Sequence, residues 1–306
     1  MLDSRISKAL AAFEDESNRR MADANAANAP TLPLFHFTRE QALTSIIGSE
    51  QLWFTSIYHM DDPEELTFGF NQSRVLLEEA IAVKNGLARA FCQDVLEIVD
   101  LKTITKLIAF YSISFGLRDD LQQWNSCGDQ GRGAALGLAP EFFRPASCED
   151  PDHPKPEEEV FYRKVSYGHA DARERHRGVI EPAFALIERV EAAGWLRTKE
   201  EAATFGKDLT ALMYPEILWN CITTKDGKWS HQNETRILVR NFLKKPLLPI
   251  VNAERPRVEI TQPLLRRSIV EVMIGPKAAP GALTRMRKFL VSVGLPAVPV
   301  TRSGDS

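Results

Sequence analysis

Apolar side chains recur with two different periods along the chain, and the change of period marks the predicted elements. Over residues 3–20 they recur at helical spacing, with acidic and basic residues on the opposite face, which predicts an amphipathic helix. The run ADANAANAP over residues 22–30 is small and polar, a composition typical of a linker. We therefore predict an N-terminal helix and linker over residues 1–30, followed by one domain over residues 31–306.

Beyond the linker, short runs rich in β-branched and aromatic residues alternate with longer runs at helical spacing. The predicted strands cover residues 34–38, 51–57, 107–115, 134–138, 160–167, 234–240, 257–260, 268–275 and 297–300. The predicted helices cover residues 39–49, 61–82, 87–105, 119–124, most of 171–219, and 280–294. Strands cluster at both ends and helices fill the middle, with 171–219 as a helical insert. This order favours an α+β fold over regular βαβ alternation.

Composition and charge narrow the function classes. The chain has 306 residues, of which 44% are hydrophobic and 26% charged, as in ordinary globular proteins. The net charge is −3, and acidic and basic residues are mixed along the chain. This balance excludes a chain-wide basic field that would hold nucleic acid through its phosphates alone, although a local basic groove stays open.

The cysteines and the apolar segments indicate the compartment. Without a C-x-x-C pair, the cysteines do not indicate a zinc ribbon or a thioredoxin-like site, and a chain of this size is not expected to depend on disulfides. The N-terminus lacks the apolar segment of a secretory signal, and the longest apolar runs are too short to span a bilayer. We therefore expect a cytoplasmic protein that has no membrane partner.

The acidic run MDDPEE over residues 60–65, beside His59, has two interpretations. Its carboxylates could bind a hard metal ion, which takes oxygen ligands. Alternatively, Asp61 or Asp62 caps a helix that starts with Pro63, and the glutamates that follow face the positive end of the helix dipole. The capping interpretation is the favoured one, so no metal ligand is assigned.

Three other features of the sequence do not by themselves indicate a function: a glycine-rich run, a histidine in a strand and two tryptophans. The glycine-rich run CGDQGRG over residues 127–133 lacks the spacing of a dinucleotide fingerprint and is interpreted as a tight turn. His36 lies between two phenylalanines of a predicted strand, where histidine is more often a buried, hydrogen-bonded residue than a catalyst. Trp124 and Trp229 stand in polar surroundings and could stack on a flat ring, but an anchor in the core is the favoured interpretation from the residues alone.

The segment KDGKWSHQNETRIL over residues 225–238 is the most informative. If the residues from 232 onwards form a strand, then Gln232, Glu234 and Arg236 point to one face, because side chains alternate with a period of two. One interpretation is a solvated face with a weak Glu–Arg pair. The other is a carboxylate that is held by Arg236 beside an amide, points into a cleft and stabilises a sugar cation.

Five segments together resemble the bacterial domain of unknown function 2971 family. In chain order they are LFHFT, LWFTSIYHMDDPEE, SISFGLRDDLQQWNSCGDQGRGAALGL, KDGKWSHQNETRIL and IVEVMIGPKA, within residues 32–280. The chain departs from the family pattern in three places. Asp61 stands for the usual Asn, Cys127 for a Tyr and Gln232 for a Glu. The family name itself implies no activity.

The layout also resembles the ADP-ribosyltransferase fold, which implies a central, split sheet rich in antiparallel pairs. In that superfamily an early strand carries a His that binds the adenosine ribose of NAD, a later strand carries a Ser, and a late strand carries a Glu that contacts the nicotinamide ribose. A Gln or Glu two residues before that Glu often selects the acceptor. The resemblance assigns these roles to His36, Ser56, Glu234 and Gln232.

The resemblance implies that Glu234 stabilises an oxocarbenium-like transition state when the nicotinamide–ribose bond breaks. Gln232 would orient the incoming nucleophile. The remaining assignments follow residue type: Thr38 would help to hold the adenosine ribose, Trp124 and Trp229 would stack on a ring, and a pyrophosphate contact would come from Arg132.

Three classes of function are therefore open. The first is an NAD-dependent ADP-ribosyltransferase or NAD glycohydrolase, with NAD as substrate and a protein or nucleic acid as the acceptor. The second is a non-enzymatic binding or regulatory module of a bacterial defence or stress system, with a partner protein on the insert at 171–219. The third is a metal-dependent nuclease or phosphoesterase that uses the acidic run at 61–65. We rank them in this order.

Overall fold

The computed structural model describes residues 2–59, 63–106, 108–143, 160–242, 250–251, 254–262 and 264–304, without the side chains of 63–65, 160–162 and 240–242. The helices in these ranges are α1 (Ser4–Ala27), α2 (Glu40–Ser49), α3 (Pro63–Val83), α4 (Gly86–Ile98), α5 (Leu101–Ile104), α6 (Leu121–Ser126), α7 (His169–Ala192), α8 (Lys199–Ile222), α9 (Leu265–Ser268) and α10 (Ala282–Ser292). None of them is long and apolar enough to cross a membrane.

The strands in the same ranges form two main sheets and one short pair. They are β1 (Leu34–Thr38), β2 (Gln51–Ser56), β3 (Ile108–Phe115), β4 (Ala134–Leu138), β5 (Val160–Lys164), β6 (Ser166–Tyr167), β7 (Thr224–Lys225), β8 (Thr235–Phe242), β9 (Arg257–Thr261), β10 (Ile269–Ile274) and β11 (Val300–Arg302). One sheet has the strand order β1-β4-β10-β11, the other has β5-β8-β3-β2-β9, and β6 pairs with β7.

The chain divides into two compact units. The helical unit comprises Met1–Ala27, Met60–Ile108 and Ser166–Ser230, and the sheet unit comprises Asn28–His59, Ala109–Val165 and His231–Ser306. This grouping differs from the predicted linear division near residue 30. The apolar face of α1, with Ile6, Leu10 and Phe13 buried, packs against α7 and α8, so the N-terminal helix joins the mid-chain helices.

In the helical unit, α3, α4, α7 and α8 pack against one another. The closest approach is at Gly69 of α3, where an added Cβ would lie 2.0 Å from the carbonyl oxygen of Cys221 in α8. Only a residue without a side chain fits a helix crossing of this kind. Short parallel strands β6 and β7 join the segments on either side of α7 and α8.

In the sheet unit, antiparallel pairing predominates. β4 pairs with β1 and β10, β2 pairs with β3 and β9, and β5 pairs with β8, all antiparallel, whereas β10 and β11 run parallel. Apolar side chains from both sheets and from α2 and α10 form one core, to which Phe54, Leu136 and Val272 belong. The structure thus confirms the predicted α+β class with sheets rich in antiparallel pairs.

A β-bridge between Phe35 and Gly116 joins β1 to the end of β3. The amide of each residue donates to the carbonyl of the other at 2.9 Å. Because β1 belongs to one main sheet and β3 to the other, this bridge is where the two sheets of the unit meet.

Several predicted boundaries shift. The predicted linker is helical as far as Ala27, which agrees with the high helix propensity of its alanines. The single helix predicted over 87–105 is interrupted, because the Asp100 side chain accepts the amide of Thr103 and caps the new helix α5. The single strand predicted over 160–167 is divided between β5 and β6, which lie in different sheets. The run PASCEDPDHPKPEEE over residues 145–159, whose proline- and acid-rich composition predicts a loop, lies outside the described residues.

Candidate functional site

The segment that leads into β8 is only partly extended. Gln232 is the last residue of a 3₁₀ helix, Gly227–Gln232, and Asn233 has a left-handed backbone with φ 40°. The prediction that Gln232 shares a strand face with Glu234 and Arg236 is therefore wrong, because the turn at Asn233 breaks the two-residue alternation. The alternation holds from Glu234 onwards.

Glu234 and Arg236 form a buried ion pair. Arg236 Nε lies 2.6 Å from Glu234 Oε1, and Nη2 lies 3.3 Å from Oε2. The two residues are only 2% and 3% exposed, so the interpretation as a solvated strand face is wrong. Burial lowers the pKa of Arg236 to about 9, which still leaves the guanidinium cationic at neutral pH. The pair therefore fixes a carboxylate in a position screened from water.

Ser114, which the sequence analysis missed, links this carboxylate to β1. Its hydroxyl donates to Glu234 Oε1, and its main-chain carbonyl lies 3.0 Å from Nδ1 of His36. Ser114 is half-buried near the end of β3. The only signal in the sequence was the pair of serines in the apolar run FYSISF. The serine assigned from the resemblance, Ser56, lies with its Oγ 3.1 Å from His59 Nδ1.

His36 is half-buried in β1, and its ring lies 5.7 Å from that of Phe115. Burial lowers the pKa of His36 more than its hydrogen bond to the Ser114 carbonyl raises it, so the ring is neutral at pH 7. A carbonyl can only accept, so Nδ1 carries the proton and Nε2 has the lone pair. His36 is thus a neutral ring with a defined tautomer.

Gln123 is a second residue that the sequence analysis missed. Its side chain is buried, and Nε2 donates to the main-chain carbonyl of Gln232 at 3.3 Å. Gln123 lies on α6, which the sequence predicted as a short helix, but no local pattern indicated which way the amide points. The contact ties α6 to the turn before Glu234.

Trp124, assigned to ring stacking, is a core residue. It is 1% exposed, its Nε1 donates to Asp119 Oδ1 at 2.8 Å, and Phe37 meets it edge-on with ring centroids 4.8 Å apart. A ring enclosed in this way offers no face to a ligand. The core-anchor interpretation of Trp124 is the one that this geometry supports.

The other candidates lie in different surroundings. Thr38 is half-buried at the end of β1, opposite Ala134 of β4. Arg132 is exposed, and its Nη2 lies 3.2 Å from Asp129 Oδ1, so its salt bridge is local. Trp229 is half-buried in the helical unit. The acidic run at 60–65 lies outside the described side chains.

The structure therefore brings His36, Glu234 and Arg236 together around Ser114, within the sheet unit. Gln232 does not share a strand face with Glu234, and its main-chain carbonyl accepts a hydrogen bond from Gln123. The arrangement holds a carboxylate in a fixed direction and connects it, through one serine, to a neutral imidazole. A carboxylate fixed in this way can stabilise positive charge that develops close to it.

Comparisons of the chain with protein-family models, with curated proteins and with solved structures found no match. The resemblances to the domain of unknown function 2971 family and to the ADP-ribosyltransferase fold stay predictions.

Proposed function

We propose that the protein is an NAD-dependent ADP-ribosyltransferase or NAD glycohydrolase, with a fold of the ADP-ribosyltransferase type and Glu234 as the catalytic carboxylate. The observation that carries this proposal is the chain of contacts from Glu234 through Ser114 to His36. Residues assigned to the two ribose-binding roles are thereby linked through a single serine, although 198 positions separate them in the sequence.

The reaction breaks the bond between the nicotinamide nitrogen and ribose C1′. The bonding electrons leave with nicotinamide, which departs as a neutral molecule, and positive charge develops at C1′ and the ring oxygen. Glu234, accepting a hydrogen bond from the ribose 2′-hydroxyl, stabilises this charge more in the transition state than in the ground state. A nucleophile oriented by Gln232 then adds to C1′ and releases its proton to solvent.

Ser114 and Arg236 act on Glu234 and not on the substrate. Their hydrogen bonds hold the carboxylate in one orientation before the substrate binds, so little reorganisation is needed when charge develops. In this proposal His36 and Thr38 hold the adenosine ribose and Arg132 contacts the pyrophosphate, all within the sheet unit.

A test of this proposal measures NAD consumption and transfer of labelled ADP-ribose to proteins and nucleic acids, with NAD binding measured by calorimetry. In Glu234→Gln we expect turnover to fall by a factor of about 100 or more, as for the loss of a principal electrostatic contact. The matched control is Glu259→Gln, which alters another i, i+2 Arg–Glu pair, Arg257–Glu259, on strand β9. Absence of both turnover and NAD binding in the wild-type protein would reject the proposal.

A second candidate function has its own supporting observation. Glu234 is nearly inaccessible and its carboxylate is bound by Ser114 and Arg236, as in a structural ion pair. Such an arrangement would suit a non-enzymatic binding or regulatory module of a bacterial defence or stress system, with a partner protein on the helices of residues 171–219. Isolation of a stable partner complex whose function survives Glu234→Ala would favour this candidate.

A further inference from the structure

We infer that Gln123 is a positioning residue, whose side-chain amide holds the turn that presents Gln232 and Glu234. The catalytic consequence of this inference rests on the proposed function, whereas its structural part does not. The donor is Gln123 Nε2 and the acceptor is the carbonyl of Gln232, at 3.3 Å. With Gln123 only 4% exposed, water is poorly placed to substitute for a lost amide donor.

The helix that carries Gln123 is fixed from its N-terminal side. α6 has six residues, too few for a helix to be stable alone. Asp120 caps it, since Oδ1 accepts the amides of Gln122 and Gln123 at 2.8 and 3.2 Å. Asp119 then binds the Trp124 indole and, through Oδ2, the amide of Gly304 at 2.8 Å. The C-terminal segment therefore helps to set the position of Gln123.

The Gln123 side chain also packs against Gly116, one of the two residues of the β-bridge between the sheets. An added Cβ at Gly116 would lie 2.9 Å from Gln123 Cγ, so the glycine makes room for this side chain. Gly116 exchanges both backbone hydrogen bonds with Phe35, which precedes His36. The Gln123 side chain thus lies against Gly116 at the end of β3 and binds the turn before Glu234.

The turn at Asn233 is held on its N-terminal side. Asn233 has a positive φ of 40°, a left-handed conformation that asparagine adopts more readily than most residues with a side chain. The bond from Gln123 restrains the residue immediately before it. Loss of this bond frees the Gln232 side chain to change direction, without removing any group that touches the substrate.

The first measurement is hydrogen exchange of the backbone amides of residues 233–236 in Gln123→Met, which has a similar length and no donor. We expect exchange to accelerate about fivefold to tenfold, the equivalent of one hydrogen bond. Gln122→Met changes the exposed neighbour on the same helix and should leave exchange within twofold of wild type. Gln123→Asn, whose amide is too short to reach, repeats the test if methionine lowers the melting temperature.

The second measurement separates positioning from general structure. In Gln123→Met we expect kcat for NAD cleavage to fall about tenfold and the ratio of transfer to hydrolysis to change, while the Kd for NAD stays within twofold. If the wild-type protein does not turn NAD over, the proposed function fails and the exchange experiment alone decides the role of Gln123. Unchanged exchange in both Gln123 variants, or equal acceleration in Gln122→Met, would overturn the inference.

Discussion

Ser114 donates a hydrogen bond to the carboxylate of Glu234, although 120 positions separate the two residues in the sequence. Ser114 lies in β3 and Glu234 immediately precedes β8, and these strands are neighbours in the five-stranded sheet. The main-chain carbonyl of Ser114 also accepts a hydrogen bond from His36 Nδ1. Ser114 is therefore the residue that connects His36 with Glu234 in the candidate site.

Ser114→Ala should reduce NAD turnover, because it removes the hydroxyl that orients the Glu234 carboxylate. A hydrogen bond to a charged group contributes about 1.5–3 kcal/mol, so we expect kcat to fall by a factor of about 10 to 100. The control is Ser112→Ala, a buried serine two positions earlier on the same strand. Equal turnover of the Ser114 variant and wild type, at equal melting temperature, would contradict the role of this hydroxyl.

Arg236→Met should destabilise the protein, because it leaves the Glu234 carboxylate buried beside an apolar side chain. Removal of one partner of a buried pair typically costs about 3–5 kcal/mol, measured here by urea unfolding. Arg257→Met breaks the more exposed pair with Glu259 and should cost about 1 kcal/mol or less. The double variant Glu234→Gln/Arg236→Met should recover part of the loss, and a strictly additive result would argue against direct coupling.

Gly69→Ala should destabilise the helical unit. The added methyl would lie 2.0 Å from the Cys221 carbonyl, so α3 and α8 would have to separate, at a cost of about 3 kcal/mol or more. Gly178→Ala in α7 is the matched control, since nothing lies within 4 Å of its added methyl. Its higher helix propensity should stabilise the protein by about 0.5–1 kcal/mol. Comparable unfolding free energies for the two variants would disprove the close packing.

His176 should make stability depend on pH below neutrality. The ring lies on α7 and is fully buried. Burial is the main cause that lowers the pKa of His176 from 6.5 to about 3, and the positive charge of Arg175 lowers it further. A contact with the Gly69 backbone raises it, by less than the other two lower it. Between these values the unfolded chain binds more protons than the folded one, so the free energy of unfolding decreases as pH falls from 6.5 to 3. The contribution could reach about 4 kcal/mol.

The measurement is urea unfolding at a series of pH values for wild type and His176→Phe, with exposed His169 changed to Phe as the control. Only in the His176 variant should the free energy of unfolding change less steeply with pH between 6.5 and 3. An unchanged slope would show that His176 is protonated in the folded protein as readily as in the unfolded one.

The order of helices and strands could largely be predicted from local patterns in the sequence. The strand at 34–38 and the strand at 134–138 were predicted with the bounds that the structure has, and so was the position of α6 before the glycine-rich turn. Periodicity, capping residues and β-branched runs act over a few neighbouring residues, so the chain carries this information locally. The pairing of Glu234 with Arg236 also followed from their spacing of two.

Contacts between segments that are distant in the chain could not be predicted from the sequence. The spacing that paired Glu234 with Arg236 also placed Gln232 on the strand, and the turn at Asn233 prevented that. No local pattern indicated that Ser114 meets Glu234 or that Gln123 reaches Gln232. These contacts exist because strand order and helix packing bring together residues far apart in the chain. Their geometry is a property of the assembled sheets, since the side chains involved have no fixed direction until neighbouring elements surround them.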